Sequence, residues 1–355
     1  MKSLDIEKLF LEHILNLKPY SSARDEYQGR EGIFLDANEN PFGSALDYGR
    51  FNRYPDPYQK ELKKAISELK KIPIEQIFLG NGSDEPIDLL IRAFCYSGKD
   101  SIVQIAPTYG MYQVCAEIQD VKTISVLLDD GFELNVKNLI NTQKETRSKI
   151  IFICSPNNPT GNAFEKEHIL SIVKSVEAIV VVDQAYIDFC PDKSLLEEVK
   201  NYPNLVILQT FSKAWGLAAL RVGMAFANER IIAVLNKIKY PYNLNILSQE
   251  MVLKALENKP RVERYVKQIN TLKNDLIVSL SSIQGTQKIY HSDANFILVK
   301  FDNAPALYQY LIEKKIITRD RTKAVMCDNC IRITVGTSDE NEVLVQSIKS
   351  FYSPE

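Results

Sequence analysis

Five short apolar runs, rich in β-branched residues, recur between residues 101 and 210 of this chain of 355 residues. They are SIVQI from residue 101, VKTISVLL from 121, KIIFIC from 149, AIVVVD from 178 and LVILQT from 205. Their apolar residues are continuous rather than alternating, which is typical of strands that are covered on both faces. Helical patterns lie between the runs, so the sequence predicts an α/β fold with a mostly parallel, helix-covered sheet.

Two of the helical patterns carry recognisable start signals. In DPYQKELKKAISELKK, Asp56 is predicted to be the N-cap and Pro57 the first helical residue. From Leu62 onwards, the apolar residues of this segment recur at the spacing of one helix face. Near the end of the chain, Thr337 and Glu340 have the spacing of a capping box, which predicts a last helix.

The pattern of the chain changes near residues 239–245, KYPYNLN. Long charged helical patterns follow, and then the apolar runs ANFILVKF and CIRITVG with a helical pattern between them. This order predicts a smaller α+β domain. We expect a large α/β domain over residues 46–245 and a small domain formed by residues 1–45 and 246–355, with a ligand-binding cleft between them.

Charge and hydropathy exclude several classes of partner. Lys and Arg total 43 against 45 Asp and Glu, a net charge of -2, and no basic stripe of the kind that binds phosphate backbones is present. No apolar run approaches the ~20 residues of a membrane span, and charges interrupt the apolar residues of the N-terminal segment. We therefore expect no nucleic-acid partner, no membrane partner and a cytoplasmic location.

The cysteines and histidines do not predict a metal site. His13, His168 and His291 lie far apart, and the six cysteines are irregularly spaced. Cys327 and Cys330 form a single C-x-x-C without a second pair or a nearby histidine, so two thiols in or near a strand are favoured over a metal or redox site.

Two polar residues follow apolar strands at their ends. Lys213 comes directly after LVILQT, and AIVVVD ends in Asp183, where a buried carboxylate needs a cation or hydrogen-bond donors. Ligands bind outside the carboxyl ends of parallel strands. An amine and a carboxylate on opposite sides of one ligand fit pyridoxal phosphate (PLP), whose aldehyde forms an imine with lysine and whose ring nitrogen stays protonated beside an anion.

The phosphate of this cofactor needs a hydroxyl group, an arginine and free helix N–H groups. Ser212 and Arg221 supply the first two from the loop that carries Lys213. A glycine-rich turn before a helix that Ser83 and Asp84 open could supply the N–H groups, although such a turn is often only a turn.

A stiff loop follows the strand KIIFIC. The segment CSPNNPTG, residues 154–161, holds two prolines and a glycine, and such rigidity suits a residue that must be held still. Asn157 and Asn158 are candidates for that residue, but either could merely cap the turn.

The order of these motifs resembles that of the fold-type I, PLP-dependent aminotransferases: NPTG, then VVDQAY, then SKxxGLxxLRVG, with thirty residues from Asp183 to Lys213. More narrowly, LDANENPFG, NRYPDPY, PTYGMY, SPNNPTG and CIRITVG are similar to motifs of the histidinol-phosphate aminotransferase family. The resemblance extends from Leu35 to Gly336. It implies a mostly parallel, seven-stranded sheet covered by helices, with a smaller α+β domain.

The resemblance also implies catalytic and ring-binding roles. Lys213 resembles the catalytic lysine and Asp183 the partner of the ring nitrogen. Tyr186 and Asn158 resemble the pair that hydrogen-bonds the 3-oxygen of the ring, and Tyr109 the residue that stacks on it.

The implied phosphate ligands are the Ser83 and Asp84 amides, the Ser212 hydroxyl and Arg221. Tyr54 is similar to the phosphate ligand that the family contributes across a dimer interface. The resemblance therefore implies a homodimer with composite active sites.

By the same resemblance, Arg319 and Arg332, thirteen residues apart, bind the substrate phosphate, and Tyr20 and Asn158 contact the substrate. Arg321, in the same TRDR segment, is hard to separate from Arg319 in this role. The implied reaction is a ping-pong transfer of the amino group from L-glutamate to imidazole acetol phosphate, giving L-histidinol phosphate and 2-oxoglutarate. Arg332 could instead form a surface ion pair, and Tyr20 could only fill a core. A threonine-phosphate decarboxylase and an aromatic-amino-acid aminotransferase are the alternative functions.

Overall fold

The computed structural model describes residues 5–20, 32–46, 49 and 51–353. Its strands are β1 (Ile77–Asn81), β2 (Ser101–Ala106), β3 (Lys122–Leu127), β4 (Ile150–Cys154), β5 (Ile179–Asp183), β6 (Leu205–Thr210), β7 (Val222–Phe226), β8 (Thr286–Ile289), β9 (Phe296–Phe301), β10 (Arg319–Asp320) and β11 (Cys330–Thr334). Its helices are α1 (Glu12–Asn16), α2 (Lys60–Lys70), α3 (Asp84–Phe94), α4 (Met111–Ile118), α5 (Val136–Thr146), α6 (Lys166–Ser175), α7 (Glu229–Ile238), α8 (Ile246–Leu256), α9 (Lys259–Ser281), α10 (Ala304–Glu313) and α11 (Ser338–Tyr352). Among the helices in these ranges, none has both the length and the apolar character needed to cross a membrane.

Strands β1 to β7 form one sheet in the order β1-β7-β6-β5-β4-β2-β3. The pairs from β3 to β6 along this order are parallel. Only β7 runs against its neighbours, β1 and β6. The predicted mostly parallel, seven-stranded sheet of the α/β fold is therefore confirmed.

Side chains of the central strands alternate between two apolar cores on opposite faces of this sheet. Val180 and Ile207 belong to one core, Val181 and Leu208 belong to the other, and all four are fully buried. Each side chain of this size contributes about 1.5–3 kcal/mol relative to an exposed one. Burial on both faces is the physical reason for the continuous apolar runs of the central strands. The run VKTISVLL does not fit this expectation, because β3 lies at the edge of the sheet and is buried only at Val126.

The second sheet has four antiparallel strands in the order β10-β11-β9-β8. Its core combines Val299 of β9 with Leu280 of α9, Leu307 of α10 and Ile348 of α11. It matches the small α+β unit that the sequence predicts after residue 246. The boundaries of the two domains at residues 45/46 and 245/246 stay a prediction.

The loop after β4 is tied to the segment that precedes β9. Asp293 donates its backbone N–H to the Gly161 carbonyl oxygen at 2.9 Å, and its Oδ2 accepts from the Ala163 N–H at 2.8 Å. Gly161 has φ +94°, and a Cβ there would lie 2.6 Å from Ser292 Oγ. One of the links between the two parts of the protein therefore lies beside the loop that carries Asn158.

The predicted start of α2 is wrong by a few residues. The helix begins at Lys60, after Gln59 with φ +49°, rather than at Pro57. The Asp56 carboxylate accepts from the N–H groups of Tyr58 at 2.9 Å and Lys60 at 2.8 Å, so it closes a turn before the helix and is not its N-cap.

The predicted capping box of α11 is confirmed. Thr337 Oγ1 accepts from the Glu340 N–H at 3.3 Å, and Glu340 Oε2 accepts from the Thr337 N–H at 2.8 Å. Each side chain satisfies a backbone donor that the helix leaves free.

Candidate active site

A cavity of about 420 Å³ lies between the carboxyl ends of β4, β5 and β6 and the strands β10 and β11 of the small sheet. The structure brings most of the predicted site residues together in its wall: Ser83, Asp84, Tyr109, Asn158, Asp183, Tyr186, Ser212, Lys213, Arg221, Arg319 and Arg332. Cys154, Thr210 and Arg321 line it as well.

Lys213 lies three residues beyond the end of β6 and lines this cavity. Desolvation by the surrounding protein, followed by the positive charge of Arg332, lowers the pKa of its ammonium group. Its Nζ lies 5.4 Å from the centre of the Tyr186 ring. A lower pKa increases the fraction of neutral amine near pH 7, and the neutral amine is the form that acts as a nucleophile or base.

Asp183 is the last residue of β5 and is only 2% exposed. Its Oδ2 accepts a hydrogen bond from Tyr112 Oη at 2.8 Å, and its Oδ1 accepts from the Ala185 N–H at 3.0 Å. Burial raises the pKa of this carboxyl to about 6, although the Tyr112 hydrogen bond acts in the opposite direction. A cation beside a buried carboxylate stabilises its charged form, and a protonated ring nitrogen is such a cation.

Tyr112 is a site residue that the sequence motifs alone do not indicate. It lies in the first turns of α4 with its ring fully buried, stacked on Phe152 at 4.7 Å and edge-on to Tyr109 at 5.6 Å. The spacing of three residues between the tyrosines of PTYGMY is the signal that could have indicated it, because residues three apart face the same side of a helical turn.

The start of α3 forms another part of the cavity wall. Ser83 is the N-cap of this helix, and within the described part of the chain its side chain makes no capping hydrogen bond. Arg221 lies beside it, with Nη1 3.4 Å from Ser212 Oγ and Nη2 3.5 Å from Asp84 Oδ2. A helix N-terminus, a hydroxyl group and a guanidinium at one place fit a phosphate group.

Two glycines allow the backbone to approach closely at this end. Gly82 has φ +70°, and a Cβ there would lie 2.6 Å from Arg221 Nη2. A Cβ on Gly223 of β7 would lie 2.3 Å from the Ser83 nitrogen. The chain therefore passes too close for any side chain, and β7 positions the first N–H groups of α3.

Asn157 and Asn158 have different roles in the loop after β4. The Asn157 side chain accepts from Thr108 Oγ1 at 3.0 Å and donates to the Pro107 carbonyl oxygen at 3.0 Å, so it stabilises the loop. Asn158 lines the cavity, and its Oδ1 accepts a 2.6 Å hydrogen bond from Arg332 Nη1. The capping interpretation that the sequence leaves open therefore applies to Asn157.

Tyr109 and Tyr186 lie on the walls of the cavity. Tyr109 Oη donates to Asp84 Oδ1 at 3.1 Å, and burial raises the pKa of its phenol well above the ordinary range. Burial has the same effect on the pKa of Tyr186, whose ring packs edge-on against Phe296 at 5.1 Å. Both phenols are therefore protonated hydrogen-bond donors at neutral pH.

Arg319 and Arg332 are directly opposite each other on the antiparallel strands β10 and β11. The Arg332 guanidinium lies 5.2 Å from the centre of the Phe296 ring, and its pKa is lowered mainly by burial. In the described ranges, neither arginine forms an ion pair with a carboxylate, so the ion-pair interpretation of Arg332 is wrong for this part of the chain.

Tyr20 and Tyr54 do not line the cavity of this chain. Tyr20 is 73% exposed and lies in a separate groove beside Tyr240 and Tyr242. Tyr54 is 50% exposed and stacks on Tyr242 at 4.5 Å. Their predicted roles as substrate and phosphate ligands stay predictions.

Cys327 and Cys330 are fully buried in the core beneath the large sheet. Burial raises the pKa of their thiols to about 12 and about 11, and such thiols are poor nucleophiles. Among the residues that the structure describes, no group of His, Cys, Asp and Glu side chains could hold a metal ion.

The family model of aminotransferase class I and II matches residues 30–348, so the chain belongs to this class of PLP-dependent enzymes. The chain is 52% identical to the histidinol-phosphate aminotransferase of Cytophaga hutchinsonii, over 98% of this chain and all of that protein. Within the class, it therefore belongs to the histidinol-phosphate aminotransferase family. The predicted family, enzyme class and cofactor are confirmed.

Solved structures show the same fold at lower identity. The histidinol-phosphate aminotransferase of Clostridium acetobutylicum has a TM-score of 0.80 at 24% identity and covers 86% of this chain and 92% of its own. That of Sinorhizobium meliloti, solved in complex with pyridoxal-5'-phosphate, has a TM-score of 0.77 at 21% identity and covers 89% of this chain and 90% of its own.

Proposed function

We propose that this aminotransferase transfers the amino group of L-glutamate to imidazole acetol phosphate, giving L-histidinol phosphate and 2-oxoglutarate. One observation carries the proposal: the cavity that holds Lys213 and Asp183 is lined on its other side by Arg319 and Arg332. Arginines bind phosphate through charge-assisted hydrogen bonds of about 1.5–3 kcal/mol each. The chain is 52% identical to the relative from Cytophaga hutchinsonii over nearly the full length of both proteins, which supports the same substrates.

The residues of the cavity fit PLP at both ends. Lys213 and Asp183 would hold its aldehyde carbon and ring nitrogen, and the α3 N-terminus with Ser212 and Arg221 would hold its phosphate. When bound, PLP supplies an electrophilic carbon that bonds to amines and a cationic ring that withdraws electrons from the substrate.

The side chains of the chain then perform the proton transfers and the binding. Lys213 Nζ, with its lowered pKa, accepts the proton from the substrate α-carbon and returns a proton later in the reaction. Asp183, held by Tyr112 and the Ala185 N–H, keeps a negative charge opposite the lysine. Glutamate and the phosphorylated substrate occupy the same cavity in turn, so the kinetics are ping-pong.

A substrate panel tests the proposed function. With L-glutamate as donor, we expect imidazole acetol phosphate to be used far better than phenylpyruvate, because only the former carries a phosphate dianion for Arg319 and Arg332. L-Threonine phosphate, assayed for release of carbon dioxide, should give no product. Equal rates with imidazole acetol phosphate and phenylpyruvate would contradict the proposal.

Replacing the catalytic lysine tests the chemical step separately. We expect Lys213→Ala to fold with an unchanged circular dichroism spectrum and to lose turnover by several orders of magnitude. Lys144→Ala, on the exposed surface of α5, is the control and should keep full activity. Turnover of Lys213→Ala within about 10-fold of the wild type would remove this lysine from the mechanism.

We infer in addition that the enzyme is a homodimer with composite active sites. Tyr54, Tyr240 and Leu247 are exposed aromatic or apolar residues on the segments around residues 54 and 240–247. Such exposed apolar side chains favour a protein partner, and a second copy of the chain would bring its Tyr54 towards the phosphate end.

We also infer a cytoplasmic location. The six cysteines are all free thiols and are buried, which suits the reducing conditions of the cytoplasm.

A further inference from the structure

Arg321 lines the active-site cavity together with Arg319, from which the sequence could not separate it. It follows β10 two residues after Arg319, and side chains two apart on an extended strand point to the same side. Its backbone N–H donates to the Cys330 carbonyl oxygen at 3.0 Å, which extends the pairing of β10 with β11 by one residue. Arg319, Arg321 and Arg332 therefore present three guanidinium groups to one end of the cavity.

These three groups repel one another where they lie. Arg319 and Arg332 are cross-strand partners, and like charges in that position destabilise a sheet. Burial, then the charges of Arg332 and Arg319, lowers the pKa of Arg321. In the described ranges, none of the three forms an ion pair with a carboxylate. The positive charge of these three guanidinium groups is therefore not balanced by a carboxylate in the described ranges.

Arg321 also has a donor that the protein does not use. Its Nε is buried without a hydrogen-bond partner among the described residues, as is Nε of Arg332. A buried donor without a partner costs free energy unless a ligand satisfies it. Two such donors on neighbouring arginines point to a ligand with several acceptor oxygens.

We propose that Arg321 is a third anion-binding residue, which binds the phosphate of the substrate together with Arg319 and Arg332 and determines specificity for phosphorylated substrates. This inference rests on the proposed function for the identity of the substrate. A phosphate dianion supplies the charge and the acceptor oxygens that three guanidinium groups need. Each of the two carboxylates of glutamate has only two oxygens, too few to engage all three guanidinium groups, so Arg321 contributes to binding of the phosphorylated substrate and much less to binding of glutamate.

Steady-state kinetics of the PLP-loaded enzyme test this assignment. For Arg321→Gln we expect KM for histidinol phosphate to rise about 10- to 100-fold, the loss of one charge-assisted hydrogen bond, with kcat changed much less. KM for glutamate and kcat/KM for unphosphorylated histidinol should stay within about 2-fold of the wild-type values, since the lost bond is made only to phosphate. Lys323→Gln, exposed and two residues further on, is the matched control and should behave as wild type.

A second readout does not depend on activity. Addition of inorganic phosphate to the PLP-loaded enzyme should raise Tm of the wild type and of Lys323→Gln more than Tm of Arg321→Gln. Without phosphate, Arg321→Gln should be at least as stable as the wild type, because one repelling charge is gone.

The outcomes separate the two proposals. If the wild type does not use histidinol phosphate, the proposed function fails, and the phosphate effect on Tm still tests Arg321. If Arg321→Gln keeps the wild-type KM for histidinol phosphate and the wild-type response to phosphate, the role of Arg321 is wrong. Equal losses with histidinol and histidinol phosphate would also overturn it, because they would show a structural role.

Discussion

At the scale of single residues, the site depends on a carboxylate that the protein buries and then supports. Asp183 is 2% exposed, and its two oxygens each accept one hydrogen bond, from Tyr112 and from the Ala185 N–H. Desolvation dominates, so the pKa of the carboxyl lies near 6. The position is therefore unfavourable for a charge by itself and favourable for a charge that has a cation opposite.

Replacing Asp183 with asparagine should stabilise the PLP-free protein at high pH and weaken its binding of PLP. Because its pKa is raised from 3.8 to about 6 in the folded state, the carboxyl favours folding when protonated, and this contribution is lost as pH rises through 6. Without PLP, Asp183→Asn should therefore be more stable than the wild type at pH 8, by up to about 3 kcal/mol, and no more stable near pH 4.

Urea denaturation of the PLP-free proteins at several pH values measures this difference. The same variant should bind PLP more weakly, because it has no charge for the ring nitrogen. A constant stability difference between pH 4 and pH 8 would show that the carboxyl has an ordinary pKa.

Tyr112 should act through Asp183. Removing its hydroxyl group in Tyr112→Phe leaves a buried carboxylate with one donor fewer, which costs about 1.5–3 kcal/mol. We expect lower stability by urea denaturation and a weaker affinity for PLP, followed by its absorbance. Tyr265→Phe, an exposed tyrosine of α9, is the control and should change neither. Equal stabilities of Tyr112→Phe and the wild type would rule out a strong hydrogen bond.

At the scale of elements, the phosphate end depends on two segments that pack backbone against backbone. Residues Gly82 and Ser83 before α3 contact Gly223 of β7, and β7 pairs with β1, which leads directly into this turn. The one antiparallel strand of the sheet therefore positions the helix N-terminus. A glycine between Val222 and Met224 is needed for this contact rather than for a special φ angle.

Gly223→Ala should disrupt this contact. Its Cβ would lie 2.2–2.4 Å from backbone atoms of Gly82 and Ser83, so β7 or the turn must move. We expect a loss of stability of more than about 2 kcal/mol and a weaker affinity for PLP. Gly110→Ala is the control, because a Cβ at Gly110 meets nothing within 4 Å. Thermal unfolding and PLP titration measure both effects, and equal behaviour of the two variants would refute the packing argument.

Sequence patterns predicted the elements better than their connections. Lys213 and Asp183 could be identified because Asp183 ends one apolar strand and Lys213 lies just beyond the end of another, and the strand ends of a parallel sheet share one edge. The predicted start of α2 was wrong because an aspartate such as Asp56 can either cap a helix or close a turn, and the sequence does not distinguish these two roles. Tyr112 was missed because its role depends on a contact with Asp183, 71 positions away on β5. Arg321 could not be separated from Arg319 because its role depends on the pairing of β10 with β11.

At the scale of the whole molecule, two of the predicted residues lie away from the cavity. Tyr54 is half-exposed and Tyr20 is largely exposed, and both lie near Tyr242 rather than near Lys213. A site residue on the outside of its own chain is expected where two copies share a site. The prediction of a site shared between two copies came from the resemblance of the motifs to those of the family. Composition and periodicity could not supply it.

Mixing two variants tests the shared site, at a PLP concentration low enough to leave Tyr54→Phe largely unloaded. If Tyr54 of one copy serves the other, Tyr54→Phe should weaken PLP binding roughly 10-fold without changing the fold. Mixed with Lys213→Ala, it should form heterodimers in which one of the two sites has both native residues and regains activity. Sedimentation should give twice the 40.4 kDa chain mass. No recovery in heterodimers of confirmed composition would place Tyr54 outside the site.

The hydrogen bonds of Asp293 to Gly161 and Ala163 link the loop that carries Asn158 to the small sheet. Two hydrogen bonds hold the loop after β4 to the segment before β9, next to Asn158 and its contact with Arg332. Asn158 is therefore positioned by both sheets at once. A substitution in the segment before β9 would change the cavity at a distance, because it would shift Asn158 relative to its arginine partner.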